Sequence, residues 1–410
     1  MDVGRKILVR YGEIFLKSEP VRRRYEKRLK YNMRAALKTA GVEKAEIERK
    51  RGRIFVKVAA KDIDKVCEAL VKVFGIVSFS SCWHLKTSEV KKIQAFVKKN
   101  YAKWIERGQK FAVRAKRTGV QTKPKHGALY TSMQLAKLIG DVVDRKVDLG
   151  EPDVTISVEV LDDDCYIYTE KIAGAGGLPV GTAGKVVCLV SGGIDSAAAT
   201  WLMMKRGCQI VALYADNTPY VGKSATKRFL RVMEILQSWS AGWTIPLFAF
   251  DNGKNLERFM KDKKAPKKFM CLLCKRMMYR VANELAKMKT KTKTKGVNAL
   301  AVVTGETLGE VASQTLDNLV VLDEASGLPV FRPLIGNDKQ ENVELAKRIG
   351  TYEESVEGTG KGDFKCGAVP AAPRTRGRIE ELKEIESKLP MKKLLKASVK
   401  SLKQKKIKIK

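Results

Sequence analysis

Val186-Val187-Cys188-Leu189-Val190, then Ser191-Gly192-Gly193-Ile194-Asp195-Ser196, then a run rich in Ala, Trp, Leu and Met decide how this chain is read. The apolar run reads as a buried parallel strand and the last as a helix, with a turn of two glycines and two hydroxyls between them. Such a turn is an anion cradle. Glycine lets backbone approach closely, the first N–H groups of a helix lack internal partners, and Ser191 and Ser196 add donors. The helix end carries roughly half a positive charge, which stabilises phosphate. No Gly-Lys-Ser/Thr follows, which argues against a loop that transfers a γ-phosphate. Asp195, placed where an anion would sit, makes sense if a metal ion shields it, as when a magnesium-bound pyrophosphate leaves. The competing reading is a Gly-rich turn with a Ser/Asp cap; the order strand, turn, helix favours the cradle.

Outward from this loop, strand runs at Val186–Val190, Ile210–Tyr214, Thr244–Phe250, Leu300–Val303 and Pro329–Leu334 alternate with helical patterns. That alternation predicts a doubly wound parallel sheet with ligands at the carboxyl ends of its strands. Lys287 to Lys295, reading KMKTKTKTK, interrupts it as a solvated basic insertion or an RNA-touching loop. Before the loop, Gly174-Ala175-Gly176-Gly177-Leu178-Pro179 marks a linker, hinge or tight backbone crossing.

The first part of the chain reads differently. A strand at Lys6–Tyr11, a helix from about Pro20 to Thr39, two strands around Arg51-Gly52-Arg53 and a helix from Asp62 to Phe74 suggest a ferredoxin-like α+β unit. Arg22-Arg23-Arg24 lies on the first helix, as a solvated face or an RNA contact. A second unit starts near Ser78, with helices at about Ser88–Arg107 and Ser132–Arg145, a strand at Lys110–Lys116 and a hairpin from Asp153 to Glu170.

The 410 residues carry 80 Lys and Arg against 45 Asp and Glu, a formal charge of +35. Nine of the lysines fall in the last twenty residues, which read as a frayed or helical extension with no role in the fold; removing nine from +35 still leaves +26. The first fifty residues alone hold fifteen basic and seven acidic side chains. A field of this sign implies a polyanionic partner, nucleic acid above all, with a generally basic proteome or a high-salt cytosol as the bland alternative. No run approaches the roughly 18 apolar residues that span a bilayer, and the start lacks a secretory signal, so a cytoplasmic protein without membrane contact is expected.

Eight scattered cysteines make no disulfide framework. Cys271 and Cys274, at i and i+3 of a helical pattern, face the same way. Structural zinc needs four closed ligands; His84 and His126 lie far off and no second C-x-x-C exists. A redox dithiol remains open. With Cys366, three thiolates become available, enough for an iron–sulfur cluster with one iron open. Cys67, Cys188 and Cys208 read as inert core, while Cys82 and Cys165 carry no signal.

Together the segments VRYGEIFLKS, GGLPVGTAGKVVCLVSGGIDS, CLLCKRMMYR, VVTGETLGEVASQTLDN and PLIGNDKQENVELAKRIGT resemble the tRNA 4-thiouridine synthetases of the archaeal type, up to about Leu389. The resemblance implies an α/β fold: a doubly wound pyrophosphate-loop domain at 175–390, preceded by a ferredoxin-like domain at 1–77 and a THUMP RNA-binding domain at 78–174, with a Lys-rich tail at 391–410. It implies adenylation of O4 of uridine 8 in tRNA by ATP, then replacement of the adenylated oxygen by sulfur, giving 4-thiouridine, AMP and pyrophosphate. It places ATP contacts at Leu189, Val190, Ser191, Gly192, Gly193, Asp195, Ser196, Tyr214, Ala215, Lys275, Gly305 and Gln314. Asp195 and Lys339 match positions needed for adenylation, where a cation stabilises the departing charge. Cys271, Cys274 and Cys366 match the ligands of a [4Fe–4S] cluster, and Mg²⁺ accompanies the ATP. The partners implied are tRNA and a sulfur donor, sulfide or a persulfide carrier, with a homodimer possible. Two features depart from the family pattern: Glu310 stands where Gln is usual, and the lysine insertion is atypical. The chain ends in lysines where bacterial relatives often carry a rhodanese domain, so sulfur is expected by another route. Two rivals stay open, an ammonia-using pyrophosphate-loop enzyme and a non-catalytic tRNA-binding protein.

Overall fold

The computed structural model describes residues 3–50, 52–118, 130–222, 224–288, 297–356 and 366–406. Most of the Lys287–Lys295 run lies outside them. The chain forms two compact units, Met1–Gly177 and Leu178–Lys410.

The first unit is built on one nine-stranded sheet. Strand Val3–Arg10 pairs antiparallel with Arg53–Lys57 on one side and Ser78–Leu85 on the other, and Glu46–Lys50 closes the edge. With helices Glu19–Thr39 and Ile63–Val71, this is the β-α-β-β-α order expected from the sequence, completed by a fourth strand, Ser78–Leu85, which the sequence reading gave to the second unit. The long first helix turns Leu29, Met33 and Leu37 inward at helical spacing, and Arg23 and Arg24 outward. The sheet does not stop where the second sequence unit begins: Ser78–Leu85 also pairs with Asp164–Tyr168, and the order continues through Val154–Leu161 and Lys110–Thr118. Ser78–Leu85 is thus hydrogen-bonded along its edges to strands from both sequence units. Helix Ser132–Gly140, opened by a Thr131 capping box, ends earlier than its sequence pattern suggested. Gly174 and Gly176 donate to the carbonyls of Val77 and Ile76, so this stretch is a tight crossing; a Cβ on Gly174 would lie 2.4 Å from the Ile76 oxygen.

In the second unit, strands Lys185–Leu189, Gln209–Asp216, Leu247–Asp251, Val302–Val303 and Val330–Phe331 are all parallel. Their order across the sheet is third, second, first, fourth, fifth in chain sequence. The direction of winding reverses between Lys185–Leu189 and Val302–Val303, and the loop Ser191–Ser196 leaves the first of these at the switch point. Helix Met270–Lys287 packs Leu272, Leu273, Met277, Val281 and Leu285 into the largest core.

The lysine tail departs from expectation. Helix Met391–Lys400 lays Leu394 and Leu395 on the core, and Lys403–Lys405 adds an antiparallel sixth strand beside Leu247–Asp251. Lys392, Lys393, Lys396, Lys400, Lys403 and Lys405 face solvent while the interspersed leucines are buried in part; charge count alone conceals such an amphipathic pattern. Cys67 is half-buried rather than core, whereas Cys82 and Cys165 are buried.

Candidate active site

Strand Lys185–Leu189 ends in Val190 and the chain turns through Ser191-Gly192-Gly193 into helix Ile194–Lys205, with Gly193 as N-cap. The two hydroxyls act on the turn itself. The Ser196 hydroxyl donates to the Gly193 carbonyl at 3.1 Å and accepts from the Ser191 amide at 3.1 Å, while the Ser191 oxygen accepts from the Gly193 amide at 3.2 Å. The serines thus hold the cradle's shape, where the sequence reading assigned them to the anion. Gly192 has φ of +98°, and a Cβ there would meet the Phe229 amide nitrogen at 2.8 Å. Gly305 presses against the helix start: its Cβ would lie 2.6 Å from the Ser196 nitrogen.

A cleft of about 300 Å³ opens above this turn. Of the expected ATP contacts, all but Gly192 line it: Leu189, Val190, Ser191, Gly193, Asp195, Ser196, Tyr214, Ala215, Lys275, Gly305 and Gln314. Asn217, Met278, Tyr279, Thr304 and Glu306 line it as well, and sequence reasoning passed over them. The missed signal for two of these was local, since Thr304 and Glu306 flank Gly305.

Glu306 anchors the cleft floor. It is buried, and its carboxylate accepts from Lys275 Nζ at 2.9 Å, Tyr279 OH at 2.9 Å, Thr304 Oγ1 at 3.0 Å and Arg332 Nε at 2.8 Å. Burial pushes its pKa up, but Lys275 and Arg332 outweigh that and hold it at about 2. Lys275 is therefore tied down beside the cleft by a carboxylate that stays charged.

At the mouth, Lys339 Nζ lies 3.1 and 3.0 Å from the two Asp195 oxygens and 2.8 Å from Glu310 Oε1. Burial opposes the lysine's charge, yet the bonds to Glu310 and Asp195 prevail and raise its pKa. Within the chain itself, the cation that lies against Asp195 is Lys339. Lys339 opens helix Lys339–Ile349, set by an Asp338–Glu341 capping box, so its stem is aimed by a fixed helix start.

Cys271 and Cys274 occupy the first turn of helix Met270–Lys287, just before Lys275. Burial pushes both thiols up, Cys274 to about 12 against the Nδ2–H that Asn252 donates to its sulfur at 3.2 Å. Asn252 Nδ2 also donates to Asn217 Oδ1 at 2.7 Å, linking Cys274 to the cleft wall. Cys366 packs against the same core and lies within electrostatic reach of both thiols, and the Gly367 amide donates to the Tyr220 carbonyl at 2.7 Å. Among the described residues, however, no three His, Cys, Asp or Glu side chains converge closely enough to hold a metal ion. The expected trio is nevertheless brought into one neighbourhood, and a cluster, whose cysteine sulfurs stand farther apart than the ligands of a single ion, would be held by these three thiols. The buried Cys274 sulfur accepts from Asn252 Nδ2, a bond that a thiolate ligand would keep.

A switch-point cleft over a Gly-Gly anion loop, with a lysine–carboxylate pair at its mouth, defines a nucleotide-binding α/β domain of the pyrophosphate-loop class. The chain belongs to the ThiI family: the family described as thiamine biosynthesis protein (ThiI) matches residues 181–391, its ferredoxin-like domain matches 6–80 and a THUMP domain matches 87–170. A probable tRNA sulfurtransferase from Methanothermobacter thermautotrophicus is 40% identical over 94% of each chain. One of the same description from Thermococcus kodakarensis is 36% identical over 92% of this chain and 95% of its own. Among solved structures, a 4-thiouridine synthetase–RNA complex with bound ATP superposes with a TM-score of 0.82 at 30% identity, covering 98% of this chain and 100% of that one.

Proposed function

We propose that the protein is an ATP-dependent tRNA sulfurtransferase that adenylates O4 of uridine 8 and replaces that oxygen with sulfur, releasing AMP and pyrophosphate. The observation that carries this reading is the convergence of eleven family-matched positions on one cleft at the switch point. ATP lies over the Ser191–Ser196 turn, whose helix N-terminus and Lys339 stabilise the charge that develops as pyrophosphate leaves. Magnesium accompanies the triphosphate and neutralises its oxygens when bound. Asp195 then has two roles in succession, holding Lys339 before ATP arrives and releasing it to the phosphates afterwards.

The sulfur chemistry is assigned to the Cys271, Cys274 and Cys366 neighbourhood. Supplied with sulfur from a carrier, a Cys366 persulfide attacks C4 through its terminal sulfur and AMP departs. The Cys271 thiolate then attacks the Cys366 sulfur, forming a disulfide and freeing the thiocarbonyl; an external thiol reduces that disulfide. A [4Fe–4S] cluster, when bound, would be held by the same three thiols and would leave one iron open to sulfide. The reading also expects a cytoplasmic protein; none of the described helices is long and apolar enough to cross a membrane. A homodimer on tRNA is the expected assembly if one forms.

The test is anaerobic incubation of the purified protein with unmodified tRNA, Mg-ATP and sulfide or a persulfide carrier, scored for AMP and 4-thiouridine, with iron analysis alongside. AMP and 4-thiouridine in step support the function; neither product defeats it. Iron bound in stoichiometric amount would replace the persulfide route.

A further inference from the structure

The cleft's mouth holds a fully buried amide that family resemblance does not assign. Asn342, three residues into the helix after Lys339, is completely buried, and each of its polar atoms is engaged. Its Nδ2 donates to Asp195 Oδ1 at 3.2 Å and to Thr307 Oγ1 at 3.2 Å. Its Oδ1 accepts from Asn337 Nδ2 at 3.0 Å. The bond to Asp195 fixes the amide's orientation, because a carboxylate only accepts and a flipped amide would face it with another acceptor.

The two Asp195 oxygens are not equivalent in this arrangement. Lys339 touches both, whereas Asn342 touches Oδ1 alone. Lys339 is half-exposed on a flexible stem and is held from its other side by Glu310. Asn342 is rigid and buried. If the ammonium turns toward phosphate, Asn342 retains Oδ1 and keeps the carboxylate from rotating. Oδ2 is then the oxygen left facing the nucleotide.

We infer that Asn342 is the positioning residue of Asp195: it holds one carboxylate oxygen by a buried hydrogen bond so that the other stays aimed into the phosphate site when Lys339 leaves. The inference rests on the adenylation reading above. It gives that reading a directional component, since a carboxylate held at one oxygen acts from a defined angle whereas one held only by a mobile lysine does not. The neutral amide suits this role better than a second cation, because it orients Asp195 without competing for the phosphates.

The experiment compares wild type, Asn342→Asp, Asn342→Leu and Thr307→Val in tRNA-dependent AMP formation with Mg-ATP, alongside melting temperature and tRNA affinity. Asn342→Asp keeps the shape and the bond from Asn337 but presents an acceptor to Asp195. The expected result is that kcat falls by about one to two orders of magnitude, with KM for ATP within about threefold of wild type and tRNA affinity unchanged. Asn342→Leu carries the same expectation should the charged variant fail to fold. Thr307→Val removes the amide's other acceptor without touching Asp195, and its turnover should stay within about threefold of wild type. Wild-type turnover in both Asn342 variants would overturn the inference, as would a loss in Thr307→Val equal to theirs, since the amide would then act through packing alone. Absence of AMP with the wild-type protein would defeat the adenylation reading itself, which separates the two failures.

Discussion

Glu306 shows how a buried charge serves the site from beneath. Two oxygens accept four hydrogen bonds, two of them from cations, so the carboxylate stays ionised in a place that would otherwise neutralise it. Its pKa is lowered from 4.5 to about 2. A lowered folded-state value means that its contribution is fully present above about pH 4.5 and is lost as pH falls towards 2, an effect on the order of 3 kcal/mol. Glu306→Gln should therefore flatten the dependence of stability on pH over that window. At neutral pH it leaves Arg332 and Lys275 without this partner, at a cost of roughly 3–5 kcal/mol. Urea unfolding of both proteins at pH 7, 4 and 3 checks this; equal slopes against pH would show that Glu306 does not titrate in that window, and equal stability at pH 7 that it contributes none. At the mouth of the cleft, Lys339→Met should reduce AMP formation by about 10²-fold or more, the usual scale for removing one preorganised charge-stabilising group, while leaving tRNA affinity intact. Steady-state AMP release and a filter-binding titration measure both.

The elements around the loop explain why some of the site was legible in sequence and some was not. A strand, a turn and a helix in immediate succession are local, so Ser191–Ser196 could be read directly. Gly305 is different. Its need for no side chain arises from the start of another helix, against which its Cβ would lie 2.6 Å from both the Asp195 carbon and the Ser196 nitrogen. Resemblance pointed to it, but no pattern within its own segment states the reason. Asn342 and Asn252 were invisible for a related cause: a buried amide within a helix, or just before one, reads as an ordinary polar residue until the partners from other segments are known. Gly305→Ala should push the helix start from the turn, weaken ATP binding more than tenfold and lower the melting temperature. Calorimetric titration with ATP decides it, and wild-type affinity would mean the contact can relax. The C-terminal helix makes the converse point. Met391, Leu394, Leu395 and Leu402 pack on the core, Ser398 Oγ accepts from Asn255 at 2.9 Å, and Asn255 donates in turn to Asn252, the partner of Cys274. Removing residues 391–410 should cost on the order of 3 kcal/mol, since four part-buried apolar side chains each contribute a fraction of the roughly 1.5–3 kcal/mol of a fully buried one. A frayed appendage would leave the unfolding midpoint unchanged.

At the scale of the molecule, charge and chemistry are divided along the chain. The nucleotide cleft belongs to Leu178–Lys410, while Met1–Gly177 carries an exposed basic helix face with Arg23, Arg24 and Lys27 outward and the Arg28 guanidinium 5.6 Å from the Tyr31 ring. Arginine beside an exposed aromatic ring suits RNA, offering charge to phosphate and a surface for an unstacked base. The excess of +35 is far larger than folding requires, and its physical consequence is counterion release when a polyanion binds. If six or more phosphates are neutralised, tRNA affinity should fall by about 10³-fold or more between 50 and 200 mM salt. Changing Arg24 and Lys27 together to Gln should weaken binding at every salt concentration and reduce the log–log slope by roughly two, one for each phosphate no longer neutralised. ATP affinity in the absence of tRNA should be unchanged in that variant, because both residues lie outside the unit that holds the cleft. Fluorescence anisotropy with labelled tRNA across a salt series measures the slope. An unchanged slope would place the phosphate-binding cations on another face, and the basic helix would then be a solvated surface.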